Sequence, residues 1–177
     1  MKKFISIIIA ILVLAVAAYR YLGWFTTLQV VEKEMWPYLI VYEEVTGPYT
    51  KVGLTMNKIH ADLEALWVEQ THGIGLYLDD PAITPEDELR SEVGSVVTSI
   101  DIASIEDYKV KTVGAGMKLV VEFPYKNMWS YFIGPKKAYP VLAEYMLENG
   151  YDMDVGGAAI ELYDVAEGKI YFMMDIQ

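Results

Sequence analysis

The hydrophobic positions of this chain fall into three patterns: one unbroken apolar run, several stretches alternating with period two, and two that recur at three- and four-residue steps. The unbroken run comes first. Phe4 to Tyr19 is interrupted only by Ser6, and the span from Phe4 to Phe25 reaches the ~20 residues that cross a bilayer. Lys2 and Lys3 precede it, Arg20 follows, and Tyr19, Tyr21 and Trp24 stand where an interfacial aromatic belt would lie. Residues 1–25 therefore read as a retained transmembrane anchor. The competing reading is a cleaved signal peptide, because Ala15-Val16-Ala17 is a small-residue site behind a basic flank. The basic bias puts the N-terminus in the cytoplasm and the domain on the non-cytoplasmic side, with a cytoplasm-facing domain as the alternative.

Residues 26–37 read as a juxtamembrane linker and 38–177 as one domain. Tyr38 to Val45 is rich in aromatic and β-branched residues and predicts a strand, broken by Gly47-Pro48. Tyr49, Val52, Met56, Ile59, Leu63, Leu66 and Trp67 then predict an amphipathic helix over 51–69 that ends at His72-Gly73. Strands follow at Ile74–Leu78 and Arg90–Ile100. Asp101 to Gly116 reads as a connection, most flexible at Gly114-Ala115-Gly116. The order then repeats: a strand at Met117–Phe123, a short turn through Met128–Ile133, and a helix over 136–148. A hairpin closes the chain, with strands at Ala158–Asp164 and Ile170–Ile176 around Ala166-Glu167-Gly168. The expected fold class is α+β, built from two pseudo-symmetric strand–helix–strand–strand units after an N-terminal transmembrane helix. Gly75-Leu76-Tyr77-Leu78-Asp79-Asp80 echoes Ala159-Ile160-Glu161-Leu162-Tyr163-Asp164, which sets Tyr77 opposite Glu161 across the pseudo-axis.

Charge and composition narrow the function. Of 177 residues none is cysteine, so there is no disulfide framework, thiolate metal site or thiol nucleophile. Outside the anchor, 11 basic residues face 25 acidic ones, a field that repels phosphate backbones and argues against nucleic acid as a partner. Asp79-Asp80 precedes Pro81 and reads as a turn rather than a metal pair. His60 and His72 lack a ligand-spaced partner, and Gly114-Ala115-Gly116 lacks the context of a phosphate loop, so neither metal nor cofactor is expected.

The candidate chemistry sits at Glu161, an acid inside an apolar strand. A carboxylate taken out of water costs several kcal/mol unless something offsets it. A salt bridge to Lys118 or Lys169 would do so structurally, and a ligand would do so functionally. Tyr77, Tyr163, Tyr125 and Trp129 are the aromatic candidates around it, each also explicable as core.

The ordered set Gly75–Pro81, Glu88–Gly94, Phe123–Lys126, Tyr139–Leu142 and Ile160–Tyr163 resembles the signature of GyrI-like small-molecule-binding domains. The match runs from about Tyr38 onward. It is most similar to the membrane-anchored branch of that family, of the kind found in a testis-expressed ER-phagy receptor. The chain stops at Gln177 without that receptor's acidic tail, so a receptor role of that kind is not expected. The resemblance implies a cleft between the two units that holds a small lipophilic molecule, cations included, with Glu161 as ligand carboxylate. It also implies two alternatives: a hydrolase of electrophilic, cyclopropane-type small molecules with Glu161 as catalytic acid or base, and a protein-interaction module with a vestigial cleft.

Overall fold

The computed structural model describes residues 2–21, 24–99, 105, 107–152 and 157–176. An apolar helix, α1 (Lys2–Tyr21), precedes an α+β domain. Its strands are β1 (Val30–Met35), β2 (Tyr38–Thr46), β3 (Gln70–Tyr77), β4 (Arg90–Val97), β5 (Lys109–Val113), β6 (Gly116–Pro124), β7 (Ala159–Asp164) and β8 (Lys169–Asp175). The helices are α2 (Val52–Ala65), entered through a 3-10 turn at Tyr49–Lys51, and α3 (Ser130–Asn149). All eight strands join one antiparallel sheet in the order β1-β6-β8-β7-β3-β4-β2-β5.

That order is a palindrome of two units. β2-α2-β3-β4 corresponds to β6-α3-β7-β8, and the pseudo-axis passes between β3 and β7 at the centre. α2 packs on β2, β3 and β4, and α3 packs on β6, β8 and β1. Alternation along the strands separates two interiors. Leu119, Val121, Phe123, Ile170 and Phe172 meet α3, and Val41 and Val97 meet α2. Ile40, Tyr42, Ile74, Leu76, Val120, Ile160, Leu162 and Met173 point the other way into a third cluster that reaches Met35 on β1.

That third cluster is buried because the sheet curls. β1 and β2 hold the first and seventh places yet are joined by Trp36-Pro37 alone. A flat sheet would set those places ~29 Å apart, whereas the chain from Met35 to Tyr38 spans at most ~11 Å. The register shows how the ends meet. Val30 pairs with Val121 and Met35 with Gly116, then Tyr38 with Val113 and Tyr42 with Lys109. The pairing does not slip across the bend. β1–β2 and β5–β6 are thus two long bent strands that form one continuous ribbon across the ends of the sheet. On one side Pro37 lacks the N–H a ladder would use. On the other, Gly114 and Gly116 take φ of 85° and 104°, open to glycine at little cost.

Four details differ from the sequence expectation, and one lies outside the described residues. The segment 26–37 contains β1, whose run of Val31, Glu32, Lys33 and Glu34 is exposed and suits an edge strand rather than a linker. β5 lies inside the expected connection, and its Lys-Val-Lys-Thr-Val pattern is too short and charged to announce itself. Ile100, the expected end of the strand at β4, lies outside the described residues, as do 101–104 and 106. α2 ends at Ala65 because Trp67 adopts φ 59°; Val68 then tucks under the helix and its N–H closes on the Leu63 carbonyl at 3.0 Å. Leu66 and Trp67 are therefore exposed, and His72-Gly73 belongs to β3. Finally, the expected turn at 128–133 and helix at 136–148 become the single helix α3, which runs through Pro135 and Pro140. Ile133, Gly134, Ala138, Leu142 and Met146 bury one continuous face of it, and packing overrides the local proline cost of ~3 kcal/mol.

Candidate functional site

Glu161 sits on β7 at the centre of the sheet, on the face covered by the helices, while its neighbours Ile160 and Leu162 enter the opposite cluster. Its direct cross-strand partner is Gly75 on β3. The side chain is buried, at 5% exposure. Both carboxylate oxygens accept tyrosine hydroxyls: Tyr139 donates to Oε1 at 2.7 Å and Tyr163 to Oε2 at 2.6 Å. The Tyr163 hydroxyl lies 3.0 Å from that of Tyr77. Four residues from β3, β7 and α3 thus form one closed hydroxyl–carboxylate network.

Glycine makes the room. A Cβ at position 75 would stand 3.0 Å from the Tyr77 hydroxyl, and one at 73 would stand 3.4 Å from the Tyr163 ring. The Gly-x-Gly of β3 is therefore a shelf on which both rings lie back against the sheet. Further rings extend the wall. Tyr49 meets Tyr77 edge-on at 4.7 Å and is pinned by donating to the Asp79 and Arg90 carbonyls at 2.9 and 3.0 Å. Tyr131 meets Tyr163 at 5.4 Å, and Tyr125 meets Tyr131 at 5.2 Å.

Burial dominates the electrostatics. Desolvation pushes the Glu161 carboxyl up to about 7, although the hydrogen bonds from Tyr163 and Tyr139 pull the other way. The Tyr77, Tyr139 and Tyr163 hydroxyls are pushed up in turn, by burial first and by the Glu161 charge second, so all three remain donors. Among the described residues no ion pair joins Glu161 to a Lys, Arg or His. Lys118, one partner considered from the sequence, is bound to Asp175, and Lys169 is 3.0 Å from Glu122.

The structure brings Glu161, Tyr163 and Tyr77 into direct contact and sets Tyr125 two rings away through Tyr131. Trp129 stands elsewhere. It is 57% exposed, packs on Phe132 at 6.2 Å and faces the end of α1. Sequence reasoning missed Tyr139, Tyr49 and Tyr131, having read Tyr49 as part of an amphipathic helix pattern. The available signal was a polar tip on a core position opposite a strand that presents an acid. Asp79 serves the turn: it holds Arg90 Nη2 at 2.7 Å and Nε at 3.0 Å, and that guanidinium keeps its carboxyl below the usual range.

No protein-family model matches the chain, and no curated protein matches it either. Solved structures do. The C-terminal domain of EcmrR superposes with a TM-score of 0.66 at 15% identity, over 86% of this chain and 99% of that one. SAV2435, solved bound to tetraphenylphosphonium, gives 0.58 at 12% identity over 84% and 94%. A hydrolase from Listeria innocua gives 0.50 at 9% identity over 88% and 95%. The chain has a GyrI-like fold. In this GyrI-like domain the tyrosine-walled carboxylate lies on the two central strands, where the two halves meet. Chemically, the arrangement can neutralise a cation against aromatic faces. It can equally hold a proton at Glu161 and deliver it to a bound molecule.

Proposed function

We propose that this chain is a membrane-anchored GyrI-like domain that binds a small lipophilic molecule, cations included, at Glu161 between its two halves. One observation carries the reading: a buried carboxylate whose recorded partners are neutral hydroxyls rather than an internal cation. An internal Lys or Arg would satisfy the charge and remove its affinity for an external one. The wall of Tyr77, Tyr163, Tyr49 and Tyr131 offers ring faces, each worth ~0.5–2 kcal/mol to a cation. That SAV2435 was solved with tetraphenylphosphonium supports this ligand class. Tyr125 belongs to the outer wall in this reading, and Trp129 is left out of the ligand contact. The anchor reading is supported by α1, whose 18-residue apolar window has a mean hydropathy of 2.3. The basic flank of Lys2 and Lys3 supports a domain on the non-cytoplasmic side.

Binding couples to a proton. With its carboxyl at about 7, Glu161 is part-protonated at neutral pH, and a cation requires the ionised form. Proton and ligand compete, so the apparent Kd of a lipophilic cation rises by up to tenfold per pH unit below about 7. Titration calorimetry with tetraphenylphosphonium on the detergent-solubilised chain tests the reading. Glu161→Gln keeps the shape, drops the charge and is expected to weaken binding tenfold or more, ~1.4 kcal/mol. It should also erase the pH dependence. Equal affinity in both proteins sinks the proposal.

The same raised carboxyl favours a second reading, hydrolysis of an electrophilic small molecule with Glu161 as general acid. There Glu161→Gln abolishes turnover and leaves binding nearly intact.

A further inference from the structure

Phe123 to Ala143 is a stretch without a single Asp or Glu in a protein that carries 25 of them, and it includes Lys126, Lys136 and Lys137. The structure folds this stretch into the end of β6, the loop after it and the first turns of α3. Met128, Trp129 and Phe132 stand exposed there, at 67%, 57% and 51%, between exposed Lys126 and Lys136. The patch is continuous with the end of the apolar helix. Trp129, Phe132, Ile133 and Lys136 line a cavity of about 270 Å³ together with Tyr19 and Trp24. Lys137 fastens the two sides by donating to the Trp24 and Thr26 carbonyls, the first at 2.7 Å.

We propose that Met128, Trp129 and Phe132, flanked by Lys126 and Lys136, form a second membrane contact that seats the start of α3 in the headgroup layer of an anionic bilayer. The inference rests on reading α1 as a membrane span. If α1 crosses the bilayer, Tyr19 and Trp24 lie at its interface, and side chains sharing a cavity with them share their depth. Two aromatics and a methionine project there without a protein cover among the described residues, as in interfacial anchors. The lysines supply the charge that anionic headgroups attract, within a stretch that lacks the acids frequent in the rest of the domain. The domain then lies down on the membrane instead of swinging from its tether.

The test uses the full chain in vesicles of phosphatidylcholine and phosphatidylglycerol, or in nanodiscs of the same lipids at one chain per disc. Single-tryptophan variants retain Trp24, Trp129 or Trp67, the other three tryptophans being changed to Phe. Trp67 is 94% exposed on the α2 half and serves as the solvent reference. Brominated lipids are expected to quench Trp129 about as much as Trp24 and several-fold more than Trp67. Adding Lys126→Glu and Lys136→Glu to the Trp129 variant should reduce its quenching towards the Trp67 level. Trp24 quenched with Trp129 at the Trp67 level overturns the second contact and spares the anchor. Neither quenched overturns both. A blue-shifted Trp129 that bromolipid does not quench means a protein cover, such as a second copy, and also overturns it. Radical footprinting of the unaltered chain in nanodiscs needs no folded variant. Met128 and Trp129 should label several-fold less than Trp67, and equal labelling refutes the contact.

Discussion

On the helix face of β3 the first half of the domain presents Gly73, Gly75 and Tyr77; on the equivalent strand β7 the second half presents Glu161 and Tyr163. The helices differ in the same sense. α2 buries Val52, Ile59 and Leu63 and brings no hydroxyl to the carboxylate, whereas α3 delivers Tyr139. One half supplies space and the other supplies charge. The reason is local to the axis. Residues 75 and 161 are direct cross-strand partners, and like charges directly opposite destabilise a sheet. An acid at 75 would repel Glu161, and a glycine at both positions would bind nothing. Backbone symmetry therefore coexists with chemical asymmetry, and the asymmetry is what makes a single site.

The largest test of this contrast is the pH dependence of stability. Folded Glu161 keeps its proton up to about pH 7, while an unfolded glutamate loses it near 4.5. The stabilisation is fully present below pH 4.5 and is lost as the pH rises through 7, roughly 3 kcal/mol in total. Denaturant melts in detergent should show that fall between about pH 4.5 and 7, and Glu161→Gln should flatten it. A wild-type curve without the slope contradicts the buried carboxyl.

Next come the donors. Tyr139→Phe and Tyr163→Phe each remove a hydrogen bond to the charged form, worth ~1.5–3 kcal/mol. The midpoint of the pH-dependent loss should move up by roughly one to two units in each. Tyr49→Phe, a wall residue of the first half, should leave it in place. Equal shifts in all three would erase the proposed division between the halves.

Two glycines sharpen the comparison at the level of packing. In α3 a Cβ on Gly134 would meet the Phe172 ring at 2.7 Å, so Gly134→Ala should destabilise by ~1–3 kcal/mol. In α2 a Cβ on Gly53 meets nothing, so Gly53→Ala should stabilise by ~0.4–1 kcal/mol. Thermal melts of the pair read opposite signs for one chemical change.

What could be read in advance follows from which signals are local. The period-two runs at β2, β3, β6, β7 and β8 and the odd acid at 161 are properties of a few adjacent residues, so the α+β class and the buried acid were legible. Tyr139 was not. Its contact with Glu161 depends on the depth at which α3 packs on β6 and β8, where Gly134 fits over Phe172. Trp67 was misread because a tryptophan at φ 59° does what glycine normally does, leaving no glycine to see. β1 and β5 were hidden for a shared reason. Each is an edge strand full of charge, and each becomes a strand only through the ribbon that pairs it with a distant segment.

That ribbon also has a bearing on synthesis. β1 is the first strand to leave the ribosome, directly behind the helix that would already be engaged with the membrane. Its pairing partner arrives much later, because Val30 waits for Val121, 91 residues downstream. At ~5–20 residues per second that interval is roughly 5–20 s, during which the nascent chain exposes the strand without a mate. The first half can pair β2, β3 and β4 meanwhile, but β7 has no edge to join until β3 stands ready. β1 is thus translated well before its partner and locked last, a period in which a holding chaperone would matter most.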